Sequence, residues 1–261
     1  MSLAPPSRAP IEVFWMPHCS SCMAVKKFLD DRGVAYRSIN VVEDETAMAR
    51  LAALGVRTVP VVVRGDRFVF AQYLEDVSSF LELEKAGLAP LDRLALASRL
   101  IQFLEIVEQV IVKVPDGALA QNLPGRDRSY FVVAHHVFQI AAAARRGIPD
   151  GSLRDRDSLA EPPKDMITRE RLQFFAQEVL AQVRAWPMQL AAARETDNVV
   201  TDYGPRTLAE ALHRVVSHAA QHTRQLESWA RTQHVELDRG ISPALLDGLT
   251  VADETFDQKV S

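Results

Sequence analysis

Residues 11–22 read IEVFWMPHCSSC and hold both cysteines of a 261-residue chain. Residues 11–15 form a β-branched and aromatic run of strand type. In SCMAVKKFLDDRG, residues 21–33, the apolar Met23, Val25, Phe28 and Leu29 recur roughly at helical spacing, and Gly33 is a natural stop. The cysteines therefore sit where a strand hands over to a helix. Three readings of such a pair compete: a redox dithiol, half of a metal site, or a structural disulfide. A zinc site needs about four ligands and no second cysteine pair exists. A structural disulfide is uncommon in a reducing compartment.

The compartment follows from composition. The chain is nearly half apolar and a quarter charged, with a formal net charge of −4. That is a globular composition without a basic surface, so no nucleic-acid partner is expected. The start, MSLAPPSRAP, is too polar for a signal peptide. No run of about 18 apolar residues exists to cross a membrane. A cytoplasmic protein without a membrane partner is expected, and a homodimer is compatible with it. The length suits one large domain or two ordinary ones.

The chain beyond the cysteines continues in short elements. AYRSINVV (35–42) reads as a second strand, and 44–54 as a helix stopped by Gly55. TVPVVV (58–63) is a strand, 64–67 a turn, FVF (68–70) a strand, and 74–85 a helix. After a disordered start at 1–10, the order βαβαββα fills residues 11–86.

This order, with F-W-M-P-H-C-S-S-C followed by K-K-F-L and later G-V-R-T-V-P-V-V-V, resembles the thioredoxin superfamily and most of all the glutaredoxins. The resemblance implies a cis Pro60 beside the sulfurs, with Thr58 supporting it. Cys19, at the helix start where unpaired N–H groups favour a thiolate, is expected to be the nucleophile. Cys22, one turn in, is the resolving thiol. His18 either supports the Cys19 thiolate or is an ordinary loop histidine. Glutathione-using members carry a Gly-Gly-Asp-like stretch after these strands, whereas this chain reads FAQYLEDVSSFL. The expected reductant is glutathione or a thioredoxin-reductase-type flavoprotein.

The remaining two thirds change character. Residues 87–90 read as a linker and 91–235 as long helices: 91–114, 126–146, 168–193 with a disturbance near Pro187, and a fourth that begins around Pro205. The expected fold is an α/β thioredoxin-like domain followed by an all-α four-helix bundle, with 236–261 as a C-terminal extension and a disordered tail from 251. On the fourth helix, His218 and His222 share a face with Leu212, Val215, Ala219 and Leu226. His135 and His136 lie among apolar residues of the second. Inward histidines of this kind are either hydrogen-bonded core residues or ligands of a divalent metal.

The second helix (R-D-R-S-Y to A-H-H-V-F-Q-I) and the fourth (V-V-S-H-A-A-Q-H-T-R-Q-L) are similar to those of the DinB/YfiT-like bundle superfamily. The resemblance implies a divalent metal, zinc first and nickel or iron next, on His136, His218 and His222, with His135 as the alternative to His136. It also implies a low-molecular-weight thiol as cosubstrate, activated as thiolate by the metal. Arg126, Arg128 and Tyr130 are candidates for holding that thiol or an acidic substrate. Arg145, Arg146 and Tyr203 are weaker ones. The combined expectation is a thiol-dependent transferase acting on an electrophilic small molecule, with a fused thiol–disulfide oxidoreductase. The alternatives are a thiol-dependent cis–trans isomerase of the maleylpyruvate isomerase type and a redox- or metal-responsive interaction module.

Overall fold

The computed structural model describes residues 9–17, 19–84, 91–124, 127–163, 168–192 and 198–252. The chain divides into two compact units between residues 88 and 89. The first runs β1 (Ile11–Trp15), α1 (Ser20–Asp30), β2 (Arg37–Asn40), α2 (Ala47–Ala53), β3 (Val61–Arg64), β4 (Arg67–Phe70) and α3 (Leu74–Leu81). Its sheet has the order β2-β1-β3-β4, with β1 parallel to β2 and antiparallel to β3. Alternation along the strands builds two half-cores. Val13 and Val62 pack with Val25, Phe28 and Leu29 of α1 and with Leu74, Val77 and Leu81 of α3. Phe14, Val61 and Val63 face the other way, onto Ala47 and Leu51 of α2. Each large side chain so buried contributes roughly 1.5–3 kcal/mol. This unit carries the expected βαβαββα order.

The second unit is rich in helix. Its long helices are α4 (Arg93–Lys113), α5 (Tyr130–Gly147), α7 (Arg169–Arg184) and α9 (Leu208–Thr232). α4 packs on α9 and α7, and α5 packs on the same two. Each starts on a side-chain cap that takes orphan amide hydrogens: Asp92, Ser129, Thr168 and Thr207. Thr207 and Glu210 form a reciprocal capping box. The third sequence helix is broken at Ala185, just before Pro187, into α7 and α8 (Trp186–Ala192). The second starts at Tyr130 rather than 126.

The fourth helix also starts later than the sequence suggests. Residues 204–207, Pro205 included, are a strand, β7 (Gly204–Thr207). It pairs with β6 (Asn198–Thr201), which lies parallel to β5 (Ser152–Leu153). A short α6 (Asp155–Ser158) follows β5. A Cβ on Gly147 would collide with the Ser152 carbonyl oxygen, so the end of α5 accommodates β5 through a glycine. Beyond α9, the backbone amides of Asp238 and Ile241 donate to Gln109 Oε1 and Glu227 Oε1, and the Thr250 amide donates to Ser217 Oγ. The helical unit therefore runs on through α10 (Pro243–Leu246) to residue 251. Most of the tail, from 253, lies outside the described residues. No described helix is long and apolar enough to cross a membrane.

Candidate functional site

In the first unit, β1 ends at Trp15 and Cys19 caps α1, its Sγ accepting the Cys22 amide at 3.2 Å. A sulfur in that position meets the positive end of the helix, which favours its anionic form. Cys19 and Cys22 are disulfide-bonded, with Cα atoms 5.1 Å apart. Cys19 is partly exposed, whereas Cys22 is fully buried against the α1 core. The Val59–Pro60 peptide bond is cis. Phe14 pairs with Val61, so Trp15 and Pro60 lie at the same end of the sheet, where the cysteine turn begins. Pro60 is buried and Thr58 is exposed. His18 lies outside the described residues.

In the second unit, α5 and α9 bring three imidazoles together. His136 Nε2 lies 3.4 Å from His218 Nε2, which lies 3.2 Å from His222 Nε2. These ligand atoms all fall within 4.8 Å of one another, and His136 and His222 are buried. Four-residue spacing on α9 stacks His218 and His222 on one face, and the α5–α9 contact supplies His136.

Two of the rings are held from behind. His222 Nδ1 pairs with Gln225 Oε1 at 2.8 Å, and the His136 ring bonds the Ser158 carbonyl. Burial first, then His222 and Arg128, holds His136 well below the ordinary histidine pKa, with the Ser158 bond pulling the other way. His218 is likewise lowered by burial, by His222 and His136, and by Arg214 and Arg128. Neutral imidazoles leave lone pairs free for a cation. A tetrahedral ion with N ligands at about 2.05 Å separates ligand atoms by about 3.3 Å, which the two closest nitrogen pairs match. Backing of metal-bound histidines by carbonyl acceptors is the usual arrangement. The residues present fit a divalent metal.

His135 points elsewhere. Its ring stacks on Phe175 with centroids 5.0 Å apart, and it is not part of the three-histidine cluster. Burial, with a smaller contribution from Arg128, lowers its pKa to about 4. His135 and His136 both line a cavity of about 590 Å³ with Asp127, Arg128, Ser129 and Glu161.

With both geometries in place, comparison with known sequences bears on the first. Residues 11–69 match the glutaredoxin family. The N-terminal unit is a glutaredoxin-like domain, and its dithiol supports thiol–disulfide oxidoreductase chemistry. The chain is also 34% identical over 85 residues to the DNA replication and repair protein RecF of Bacillus velezensis. That alignment covers 33% of this chain and 23% of that protein, so the chain spans under a quarter of its length.

The glutaredoxin domain makes one expectation direct. After reduction, alkylation at mildly acidic pH should label Cys19 well before Cys22, because only Cys19 combines exposure with the helix terminus. Peptide mapping reads the ratio, and preferential labelling of Cys22 would reverse the roles. Cys22→Ser should still form mixed disulfides.

The other sequence candidates scatter. Arg126 lies outside the described residues. Arg128 lines the cavity, but Tyr130 does not: it is buried and stacked on Trp229 at 4.0 Å. Arg145 and Arg146 sit in the last turn of α5, about 14 Å along the axis from His136. Tyr203 donates its hydroxyl to Asp155, which also takes Arg214 at 3.1 Å, one turn before His218. Burial and Asp155 push the Tyr203 pKa up. Sequence reading missed Gln225, although its three-residue offset from His222 was a usable signal. Ser158 and Asp155 lie in a connection that carries no such signal.

Proposed function

We propose that the helical unit is a DinB-like four-helix bundle whose His136, His218 and His222 hold a divalent metal, and that the chain is a thiol-dependent enzyme with its own disulfide reductant. The carrying observation is the convergence of three imidazole nitrogens, two of them buried and held from behind, in a chain that also has a glutaredoxin dithiol. Three imidazole nitrogens suit zinc, with nickel or iron next. Bound there, the ion supplies Lewis acidity that keeps a low-molecular-weight thiol, such as glutathione, in its thiolate form. Gln225 and the Ser158 carbonyl fix the rings, and Arg128 lies where it can hold an acidic group of thiol or substrate.

The two halves then act in sequence. The thiolate RS⁻ displaces a leaving group X⁻ from an electrophilic carbon, giving a thioether. Cys19 thiolate attacks the sulfur of that product where the departing carbon stabilises negative charge. The C–S bonding pair leaves with the carbon as a carbanion, which takes a proton, and Cys19 holds the RS group as a Cys19–S–S–R mixed disulfide. Cys22 thiolate attacks Cys19, releases RS⁻ and closes the Cys19–Cys22 disulfide. Glutathione or a flavoprotein reductase returns two electrons. One chain raises the effective concentration of the second step.

A phenacyl chloride with glutathione tests this. The metal-loaded chain should yield acetophenone above the uncatalysed background. Loss of His218 should remove catalysed conjugation, and Cys19→Ser should stop at the S-phenacyl conjugate. Acetophenone at the full rate from Cys19→Ser would exclude the dithiol from the cycle. Conjugation at the full rate without His218 would exclude the metal site.

A further inference from the structure

The cavity next to His136 carries charges of both signs. Arg128 contributes a cation, and Asp127 and Glu161 contribute anions. A simple carboxylate there would meet two repelling groups, and a simple amine would meet the guanidinium. Asp127 also accepts from Asn122 Nδ2 at 3.4 Å, and a ligand carrying both charges adds a favourable partner on each side without meeting a like charge alone.

His135 adds a buried polar contact. It is 3% exposed, and its Nδ1 is sealed without a partner. A sealed N–H costs more than a sealed lone pair, which favours the tautomer protonated on Nε2. Nε2 is then the ring atom left to donate to a ligand in the cavity. Stacking on Phe175 fixes the plane in which it does so. At about 590 Å³ the cavity is large enough for more than a bare amino acid.

We propose that this cavity binds an α-amino-acid head group: Arg128 and His135 Nε2 take the carboxylate, Asp127 and Glu161 take the ammonium, and the remainder extends past His136. This deepens the metal–thiol reading by naming the class of thiol, one that carries a zwitterionic amino acid. It rests on that reading only for the destination of the sulfur.

Calorimetric titration of the full chain with thiol-free probes tests the head-group site alone. S-methylcysteine should bind. N-acetyl-S-methylcysteine, without the ammonium, and 2-(methylthio)ethylamine, without the carboxylate, should each bind about 10-fold more weakly or worse. Arg128→Gln should weaken S-methylcysteine by about 10- to 100-fold and should not weaken 2-(methylthio)ethylamine. Glu161→Gln should weaken S-methylcysteine and should not weaken its N-acetyl form. His135→Phe keeps a ring on Phe175 and should weaken only the probes that carry a carboxylate. Equal affinity for all three probes, indifference to Arg128→Gln, or no binding in the millimolar range overturns the proposal. Metal content measured in the same samples keeps the two readings apart. Binding of S-methylcysteine to a chain that takes up no metal would sink the metal reading and leave this one standing. A metal-loaded chain indifferent to the probes would do the reverse.

Discussion

His218→Ala should leave the purified chain without stoichiometric divalent metal. His218 Nε2 is the nitrogen within 3.4 Å of His136 and 3.2 Å of His222, so its loss opens the middle of the cluster. Changes behind metal ligands cost about 10- to 100-fold in affinity, and loss of one of three ligands should exceed that range. Alanine at His136 or His222 should do the same. Gln225→Ala should fall within the smaller range, because Gln225 Oε1 only takes the second nitrogen of His222. His135→Phe should leave metal content unchanged. Elemental analysis and competition with a chelator read all five variants. If the three alanine variants keep wild-type metal, the centre is not a metal site. If only the change at His135 removes it, the ligand on α5 is His135 and the arrangement of the α5 rings is wrong.

Part of the fold and of this cluster is legible in the sequence alone. The dithiol was legible because it lies at a junction marked by local pattern, an apolar run followed by C-x-x-C, whereas the cis Pro60 came from the resemblance that the T-V-P carries. The two α9 histidines were legible because helical spacing alone fixes their common face. The preference for His136 over His135 rests on family resemblance and helical phase; in the structure His136 joins His218 and His222, and His135 stacks on Phe175. Adjacent residues on a helix diverge by about 100°, so one ring turns to α9 while the other turns to Phe175 on α7.

What was not legible depends on contacts distant in sequence. The three-stranded sheet uses strands of two to four residues, one of them G-P-R-T, too short to show alternation. Its capping box, Thr207 with Glu210, was the overlooked marker that α9 starts at Leu208. Ser158 behind His136 and Asp155 between Tyr203 and Arg214 become visible only after α6 has folded against its neighbours.

Acid should destabilise the metal-free helical unit steeply, starting near neutrality. His135 is held at a pKa of about 4 by burial and Arg128. His136 and His218 are also held well below 6.5, chiefly by burial. In the unfolded chain these rings titrate near the ordinary value of about 6.5. Above that pH neither state binds the protons and stability is full. As pH falls below it, the unfolded chain takes up protons that the folded one refuses, so stability is lost until the folded pKa is reached. For His135 alone, a fall to about 4 from an ordinary 6.5 corresponds to roughly 3 kcal/mol. His136 and His218 act in the same direction, against a total domain stability of about 5–15 kcal/mol. Hydrogen exchange of peptides from α5 and α9, compared at pH 7 and pH 5, measures the loss region by region. The glutaredoxin domain is an internal control, since His18 is the only histidine in residues 1–88. His135→Phe should flatten the dependence by removing that ring's share. Added zinc should raise stability at pH 7 and lose its effect in acid, because metal and protons compete for the same nitrogens. Equal protection of α9 at both pH values would mean that these rings do not enter the fold as neutral groups, and the open lone pairs that a metal centre needs would go with them.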